Sequence, residues 1–437
     1  MLETGPSRLF PTQAMILQKT IAFRGELGYS SGAMRLLFVA DGRSPIALNW
    51  IEYFLNQGHE VHLASTFQSP VDQRLASYTF IPVAFSSMKP ANESGKASQK
   101  TGGMWRASAV QLRTRLRQWL GPLTLPGAGR QLRTLVDRLQ PDLIHAMRIP
   151  YEGMVAALAG GGPPLVISVW GNDFTLHAPS TPFMARYTRL ALQRAAALHA
   201  DCQRDVRLAY QWGFPSTGRT MTLPGAGGVQ PEIFYPPETI VADPVVVQPR
   251  GVRAYVNNRA FFQAIPRVLE VLPSAQFLCP SMQGEAQAEG WVKELGISDQ
   301  VILLPKQTRA QMAELFRQAR MVVSPTTHDG TPNTLLEAMA CGCLPVAGDL
   351  ESLREWITPG VNGLLVDLGQ PEALAEAILT GLKEDSLCWQ GRKENLRQIA
   401  ERAVYGRVMP AAEQVYRELI AKSQKKYGIG AEKPGAA

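Results

Sequence analysis

Met321-Val322-Val323-Ser324 is a short apolar run that stops abruptly in a polar loop, Pro325-Thr326-Thr327-His328-Asp329-Gly330. A helical pattern, Asn333-Thr334-Leu335-Leu336-Glu337-Ala338-Met339-Ala340, begins just beyond it. The residue types predict Thr331 as the N-cap and Pro332 as the first helical residue. A fully apolar strand feeding a helix through a short loop demands a crossover onto a parallel sheet. It also leaves backbone N–H groups unpaired at the helix mouth, here those of Gly330, Thr331, Asn333 and Thr334, and such groups suit a phosphate. Asp329 lies in the loop. Glu337 lies on the helix, on the face it shares with Asn333 and Thr334, and helical Cβ atoms tilt toward the N-terminus. Both carboxylates therefore border one pocket. Phosphate donors flanked by two acceptors for hydroxyl groups describe a sugar-nucleotide site.

The same strand–helix alternation fills the rest of the chain. Leu36 to Ala40, the loop Asp41-Gly42-Arg43-Ser44, a helix from Pro45 to Asn56 and a strand reached through Gly58-His59 form a βαβ opening. Its crossover is right-handed. Asp142 to Ala146, Leu165 to Val169 and a short run near His199 are further strands. Tyr235-Pro236-Pro237 and Asp243-Pro244 punctuate the chain, after which Val245-Val246-Val247 restarts the alternation. The expectation is an α/β chain of two Rossmann-like, doubly wound domains facing each other across a cleft. Residues 1–33 read as a flexible extension or a misassigned start, and 34–240 as the first, acceptor-side domain. Residues 244–403 read as the nucleotide-sugar-binding domain. Residues 404–437 read as a helix returning toward the first domain, followed by a disordered tail.

Several motifs together resemble the retaining glycosyltransferases of family four, which have the GT-B fold. They are the Asp329…Glu337 spacing, Ala340-Cys341-Gly342-Cys343-Leu344-Pro345, Arg354-Glu355-Trp356-Ile357 and Gly360-Val361-Asn362-Gly363. The resemblance implies that Glu337 holds ribose hydroxyls and that Asp329 contacts the transferred sugar. It also implies an Arg and a Lys on the donor diphosphate. Arg250 matches the first, while the lysine position falls near Val256 and Asn257, leaving Arg253 or Arg259 to compensate. The family usually has His-Gly-X-Asp after a first-domain strand, and this chain has Trp170-Gly171-Asn172-Asp173. The implied catalytic set is Asp329, Asp173 and Arg250. The donor set is Glu337, Gly330, Thr331, Asn333, Thr334 and Arg253, and the acceptor side is Gly42, His145 and Gly171. Front-side attack with the leaving-group oxygen as base is likewise implied by the resemblance.

Some positions support two readings. Asp173 accepts hydrogen bonds from the acceptor or merely closes an Asx turn. His145 belongs to a ligand-facing segment or is a satisfied core histidine. Gly42 is a flexible ligand turn or supplies a positive φ. Residues 104–138 hold seven arginines against Asp137 alone, out of a net charge of +7 for the whole chain. That segment either packs with a solvated basic face or meets anionic lipid beside Trp105 and Trp119.

Composition narrows the classes. No apolar run reaches the ~18 residues that a spanning helix needs. The five cysteines lack metal-ligand spacing. Nothing resembles a nucleic-acid module. The expectation is a cytoplasmic hexosyltransferase, peripheral at the inner membrane face, needing no metal or cofactor. Its partners are a nucleotide-sugar donor and a sugar or lipid-linked acceptor in cell-surface glycan or glycolipid synthesis. A sugar-nucleotide epimerase and a catalytically silent nucleotide-sugar-binding subunit are the alternatives.

Overall fold

The computed structural model describes residues 32–86 and 119–427. Expectations for residues 1–31, 104–118 and 428–437 lie outside the described residues. Strands β1 (Arg35–Ala40), β2 (Glu60–Ser65), β3 (Ser77–Phe80), β4 (Leu143–Ala146), β5 (Leu165–Val169), β6 (Ala197–Ala200) and β7 (Arg219–Thr222) form one sheet in the order 3-2-1-4-5-6-7. Strands β8 (Val245–Val247), β9 (Gln276–Pro280), β10 (Val301–Leu304), β11 (Met321–Ser324), β12 (Leu344–Gly348) and β13 (Leu364–Val366) form the second, in the order 10-9-8-11-12-13. Every pairing between these strands is parallel. The order reverses between β1 and β4 in one sheet and between β8 and β11 in the other. At such a switch point the two connections leave in opposite directions and open a crevice at the carboxyl ends of the strands.

The helices are α1 (Pro45–Asn56), α2 (Leu125–Leu139), α3 (Met154–Ala159), α4 (Pro182–Arg194), α5 (Gln203–Gln211), α6 (Asn258–Val271), α7 (Ala286–Leu295), α8 (Arg309–Gln318), α9 (Asn333–Ala340), α10 (Pro371–Lys383), α11 (Asp385–Arg402) and α12 (Tyr405–Tyr427). Successive strand residues point to opposite faces, so each sheet feeds two cores. Leu37, Val39, Ile144, Ile167 and Leu198 pack against Leu132 and Val136 of α2 and Leu192 of α4. Their neighbours Leu36, Phe38, Leu143 and Val166 face Trp50 and Phe54 of α1 and Met409, Val415 and Tyr416 of α12. The last helix therefore completes the first sheet's core although it follows the second sheet in sequence. In the second sheet, Val246, Phe277, Met321 and Val323 cover Phe261, Ile265 and Ile378, and the opposite face packs on Phe316, Leu336 and Met339.

The two crossings between the domains meet. Val229 N–H donates to the Ala403 carbonyl (2.7 Å), and Tyr405 N–H donates to the Val229 carbonyl (2.8 Å). The described half of the basic segment, α2, buries Leu132, Leu135 and Val136 and leaves Arg130, Arg133 and Arg138 outside. No helix among the described residues is long and apolar enough to cross a membrane.

Candidate active site between the two sheets

The carboxyl ends of β8 and β11 carry Arg250 and Asp329. Across the switch point the Arg250 guanidinium donates to Asp329 Oδ2 at 2.5 Å, and both side chains are largely buried. Burial pushes the Asp329 carboxyl above the usual carboxylate range, and Arg250 opposes the shift. The Arg250 Nε is buried without a protein partner. A buried guanidinium N–H left unpaired is costly, so it marks a direction from which a ligand oxygen can be accepted. Ser324 and Thr326 at the end of β11, and Thr334 on α9, also have buried hydroxyls without a protein partner.

Helix α9 begins one residue later than its sequence suggests. Pro332 is the N-cap, extended at φ −66° and ψ 124°, and Asn333 is the first helical residue. Thr331 does not cap because its hydroxyl is used elsewhere. It donates to the Asp201 carbonyl (2.7 Å) and accepts from the Trp356 indole N–H (3.0 Å). No side chain caps the helix, so the first-turn N–H groups of Asn333 and Thr334 stay available. The Asn333 side chain accepts from the Ala226 N–H of the first domain (3.1 Å). Gly330 N–H turns back onto its neighbour, Asp329 Oδ1 (3.1 Å).

Glu337 lies one turn into α9 and is largely buried, with Arg309 at 3.6 Å. Burial pushes its carboxyl up to about 7, and Arg309 pulls against that. Arg309 begins α8 and also donates to Gln230 (2.8 Å). The sequence reading misses it because nothing along the chain links the start of α8 to α9; the only local signal is the Thr308–Gln311 capping box that fixes where α8 begins.

Other positions fall elsewhere. Arg253 and Arg259 are exposed, and Arg253 donates to the Arg250 carbonyl (3.0 Å) and the Tyr255 hydroxyl (3.2 Å). Asn257, near the missing lysine, caps α6. Asp173 closes a turn inside the first domain. Its carboxylate accepts from Arg148 (2.8 Å), Trp170 N–H (3.1 Å) and Ile149 N–H (3.4 Å), and its side chain is wholly buried, so no acceptor reaches it. His145 is a core histidine and does not face the cleft. It bonds Ser168 (2.8 Å) and the Tyr416 hydroxyl, and burial lowers its pKa well below the usual range. Gly42 has no positive φ. A Cβ there would meet Ser69 Oγ at 2.3 Å, so close packing is what requires glycine.

Gly171 is different. A Cβ at Gly171 would lie 1.7 Å from the Gly330 nitrogen, which puts the two domains' loops in backbone contact. Arg204 of α5 seals that contact by donating to the Gly171 carbonyl and the Asp329 carbonyl, both at 2.7 Å. From the second domain, the Glu355 carboxylate accepts from Gln203 N–H (2.8 Å) and Arg204 N–H (3.2 Å). None of these partnerships is visible in the local sequence.

Two family profiles match this arrangement: a glycosyl transferase 4-like domain over residues 42–225 and glycosyl transferases group 1 over residues 250–384. The chain belongs to the group 1 glycosyltransferases. Each profile spans one of the two sheets beyond its first strand, and Arg250, Asp329 and Glu337 all lie inside the second. EpsD of Bacillus subtilis (strain 168), named provisionally as a glycosyltransferase, is 24% identical over 390 residues, 82% of this chain and 90% of that one. The D-inositol 3-phosphate glycosyltransferase of Mycolicibacterium smegmatis is 37% identical, but over 107 residues, 25% of its length. Among solved structures, the sucrose-phosphate synthase of Thermosynechococcus elongatus superposes with a TM-score of 0.67 at 16% identity, covering 89% of this chain and 99% of that one. Anabaena Alr3699/HepE in complex with UDP-glucose gives 0.64 at 15% identity, covering 90% and 100%. At these identities the likeness establishes the GT-B fold of this glycosyltransferase.

Proposed function

We propose that this glycosyltransferase takes its sugar from a nucleotide-sugar donor and passes it to a hydroxyl group with retention, without a metal ion. The observation that carries the reading is the convergence, at the second sheet's switch point, of one buried cation, two buried carboxyls and an uncapped helix N-terminus. Each fits a different part of such a donor. The amides of Asn333 and Thr334 and the Arg250 guanidinium suit the diphosphate, whose charge grows as the bond to the sugar breaks. The Glu337 carboxyl suits vicinal ribose hydroxyls, two donors that a carboxylate can accept together. Asp329 suits hydroxyls of the sugar itself. The UDP and UDP-glucose bound in the Anabaena structures are consistent with a uridine donor, although they are ligands of that protein.

With this donor placement, the facing carboxyl ends of β1 and β4 belong to the acceptor, and retention follows if the departing phosphate oxygen accepts the acceptor's proton on the same face. A role in cell-surface glycan synthesis, with the basic segment 104–138 attaching to anionic lipid, belongs to the same proposal. The test is mass spectrometry of the purified protein incubated with UDP-, GDP-, dTDP- and ADP-hexoses, with and without simple glycosides as acceptors. Release of the nucleoside diphosphate with one donor supports the reading. Conversion of the nucleotide sugar to an isomer without acceptor supports the epimerase reading. Binding without any conversion supports a silent subunit.

A further inference from the structure

The Asp329–Gly330 peptide is held from the opposite domain. Its carbonyl oxygen accepts from Arg204 NH1 (2.7 Å) on the first domain and from Ser352 Oγ (2.8 Å) on the second. A trans peptide unit is planar, so its C=O and N–H point in opposite directions. Pulling the carbonyl toward Arg204 therefore aims the Gly330 N–H the other way, onto the Asp329 carboxyl, where it is found at 3.1 Å.

Arg204 is equipped for this and for nothing looser. Its side chain is about one-tenth exposed, and Asp205, whose side chain is almost fully enclosed, holds its Nε and NH2 through Oδ1 (2.9 and 2.7 Å). With the guanidinium plane fixed, the same fork reaches Gly171 O in its own domain and Asp329 O in the other. The backbone that carries Arg204 is itself held from the second domain, because the N–H groups of Gln203 and Arg204 donate to Glu355. Arg207 pairs with Glu351 one turn further along (2.6 Å). The neighbouring Asp201, Cys202 and Asp205 side chains bring their ligand atoms within 4.8 Å of one another, but Arg204 already supplies the cation there.

We infer that Arg204 is a positioning residue: it couples closure of the two domains to the orientation of the Asp329–Gly330 peptide, so that the donor loop reaches its working geometry only when the first domain is seated on it. This rests on the proposed donor role of Asp329. Arg204 touches no substrate. Separating the domains removes its contact with the Asp329 carbonyl while that with Gly171 in its own domain stays, and Ser352 alone is left on the Asp329 carbonyl.

The test uses the full chain with Arg204→Lys, which keeps the charge but lacks the planar fork that holds Asp205 and both carbonyls at once, and with Arg204→Met combined with Asp205→Asn, which removes the carboxylate that Arg204 pairs. Hydrogen–deuterium exchange is followed in peptides spanning 326–332 and 200–207, with 321–324 and 261–265 as core references. Turnover and affinity are measured with whichever nucleotide sugar the parent chain uses. The expected result is exchange at least about tenfold faster in the two seam peptides only, kcat lower by about 100-fold, and nucleotide Kd within about threefold, since Arg250 and Glu337 stay in place. Unchanged seam exchange in both variants, or a loss confined to Kd, overturns the inference. A parent chain that turns over no nucleotide sugar counts against the donor reading instead, and the exchange result alone then decides the coupling.

Discussion

If Glu337 receives ribose hydroxyls as a carboxylate, the affinity for a nucleotide sugar must depend on pH in a calculable way. Burial raises its pKa to about 7 in the free protein. Binding that requires the ionised form then weakens by a factor of 1 + 10^(pKa − pH), which is about 10-fold at pH 6 and about 100-fold at pH 5 relative to pH above 8. The direction is fixed: acid protonates Glu337, removes the charged acceptor and lowers affinity. The bridging diphosphate of a nucleotide sugar does not titrate in this range, so the ligand adds no slope of its own. Titration calorimetry between pH 5.5 and 8.5, in buffers of differing ionisation enthalpy, gives both Kd and the protons released.

The control is Glu337→Gln. It should lose about 1.5–3 kcal/mol of binding at pH 8, the value of a hydrogen bond to a charged group, and its affinity should be nearly flat with pH. Asp329 also lies above its usual range, so the difference between parent and variant isolates Glu337 from it. The same shift has a consequence for folding. The folded state holds the Glu337 proton more tightly than the unfolded chain, whose pKa is near 4.5. Its contribution to stability is therefore complete below about 4.5 and is lost as pH rises through about 7, a swing on the order of 3 kcal/mol. A pH-independent Kd, or a slope as steep in Glu337→Gln as in the parent, would refute the reasoning.

Three further outcomes are expected. Gly171→Ala places a methyl against the Gly330 backbone, so turnover should fall by about 100-fold or more while the thermal midpoint, followed by circular dichroism, moves by only a few degrees. Activity should persist in excess EDTA, because Arg250 and the α9 amides already supply positive potential for the diphosphate; loss with EDTA and recovery with Mg²⁺ would count against this. The basic segment should bring the protein down with phosphatidylglycerol vesicles at low salt and release it at high salt, and Arg113, Arg115 and Arg117 all changed to Ser should abolish this, each cation contributing about 1 kcal/mol.

The sheets were legible because their strands are buried on both faces, which writes them as continuous apolar runs such as Leu36 to Ala40 and Met321 to Ser324. Short edge strands with mixed burial, Ser77–Phe80 and Arg219–Thr222, carry no such run and escape notice. The proposed donor side could be named from sequence for a related reason: Asp329, the helix mouth and Glu337 belong to one contiguous strand–loop–helix unit. The register of the cap was not, because Thr331 is drawn off by Asp201 and Trp356, residues distant in sequence. For His145 and Asp173 the ligand-facing reading yields to the other one the sequence allows, a core histidine and a turn-closing carboxylate. Residue type and strand-end position suggest a ligand, but their partners Tyr416 and Arg148 saturate them from other elements.

The Arg250–Asp329 pair suggests how the proposed donor would be admitted. Both side chains are largely enclosed, and each would be costly to bury alone. Paired, they hold each other in place at the switch point. A diphosphate carries two charges and offers several oxygens, so it competes well for Arg250, whose unpartnered Nε gives it a point of attachment before the Asp329 contact is given up. As Arg250 turns to the diphosphate, Asp329 loses its strongest partner and must find donors nearby. The Gly330 N–H supplies one, and hydroxyls of the sugar attached to that same diphosphate supply the rest. The exchange needs both halves of the donor at once. A free nucleoside diphosphate would take Arg250 and leave Asp329 underpaired, and a free sugar would have no cation to draw it in. On the proposed donor placement, selectivity for the intact nucleotide sugar would follow from one ion pair that the ligand splits between its two ends.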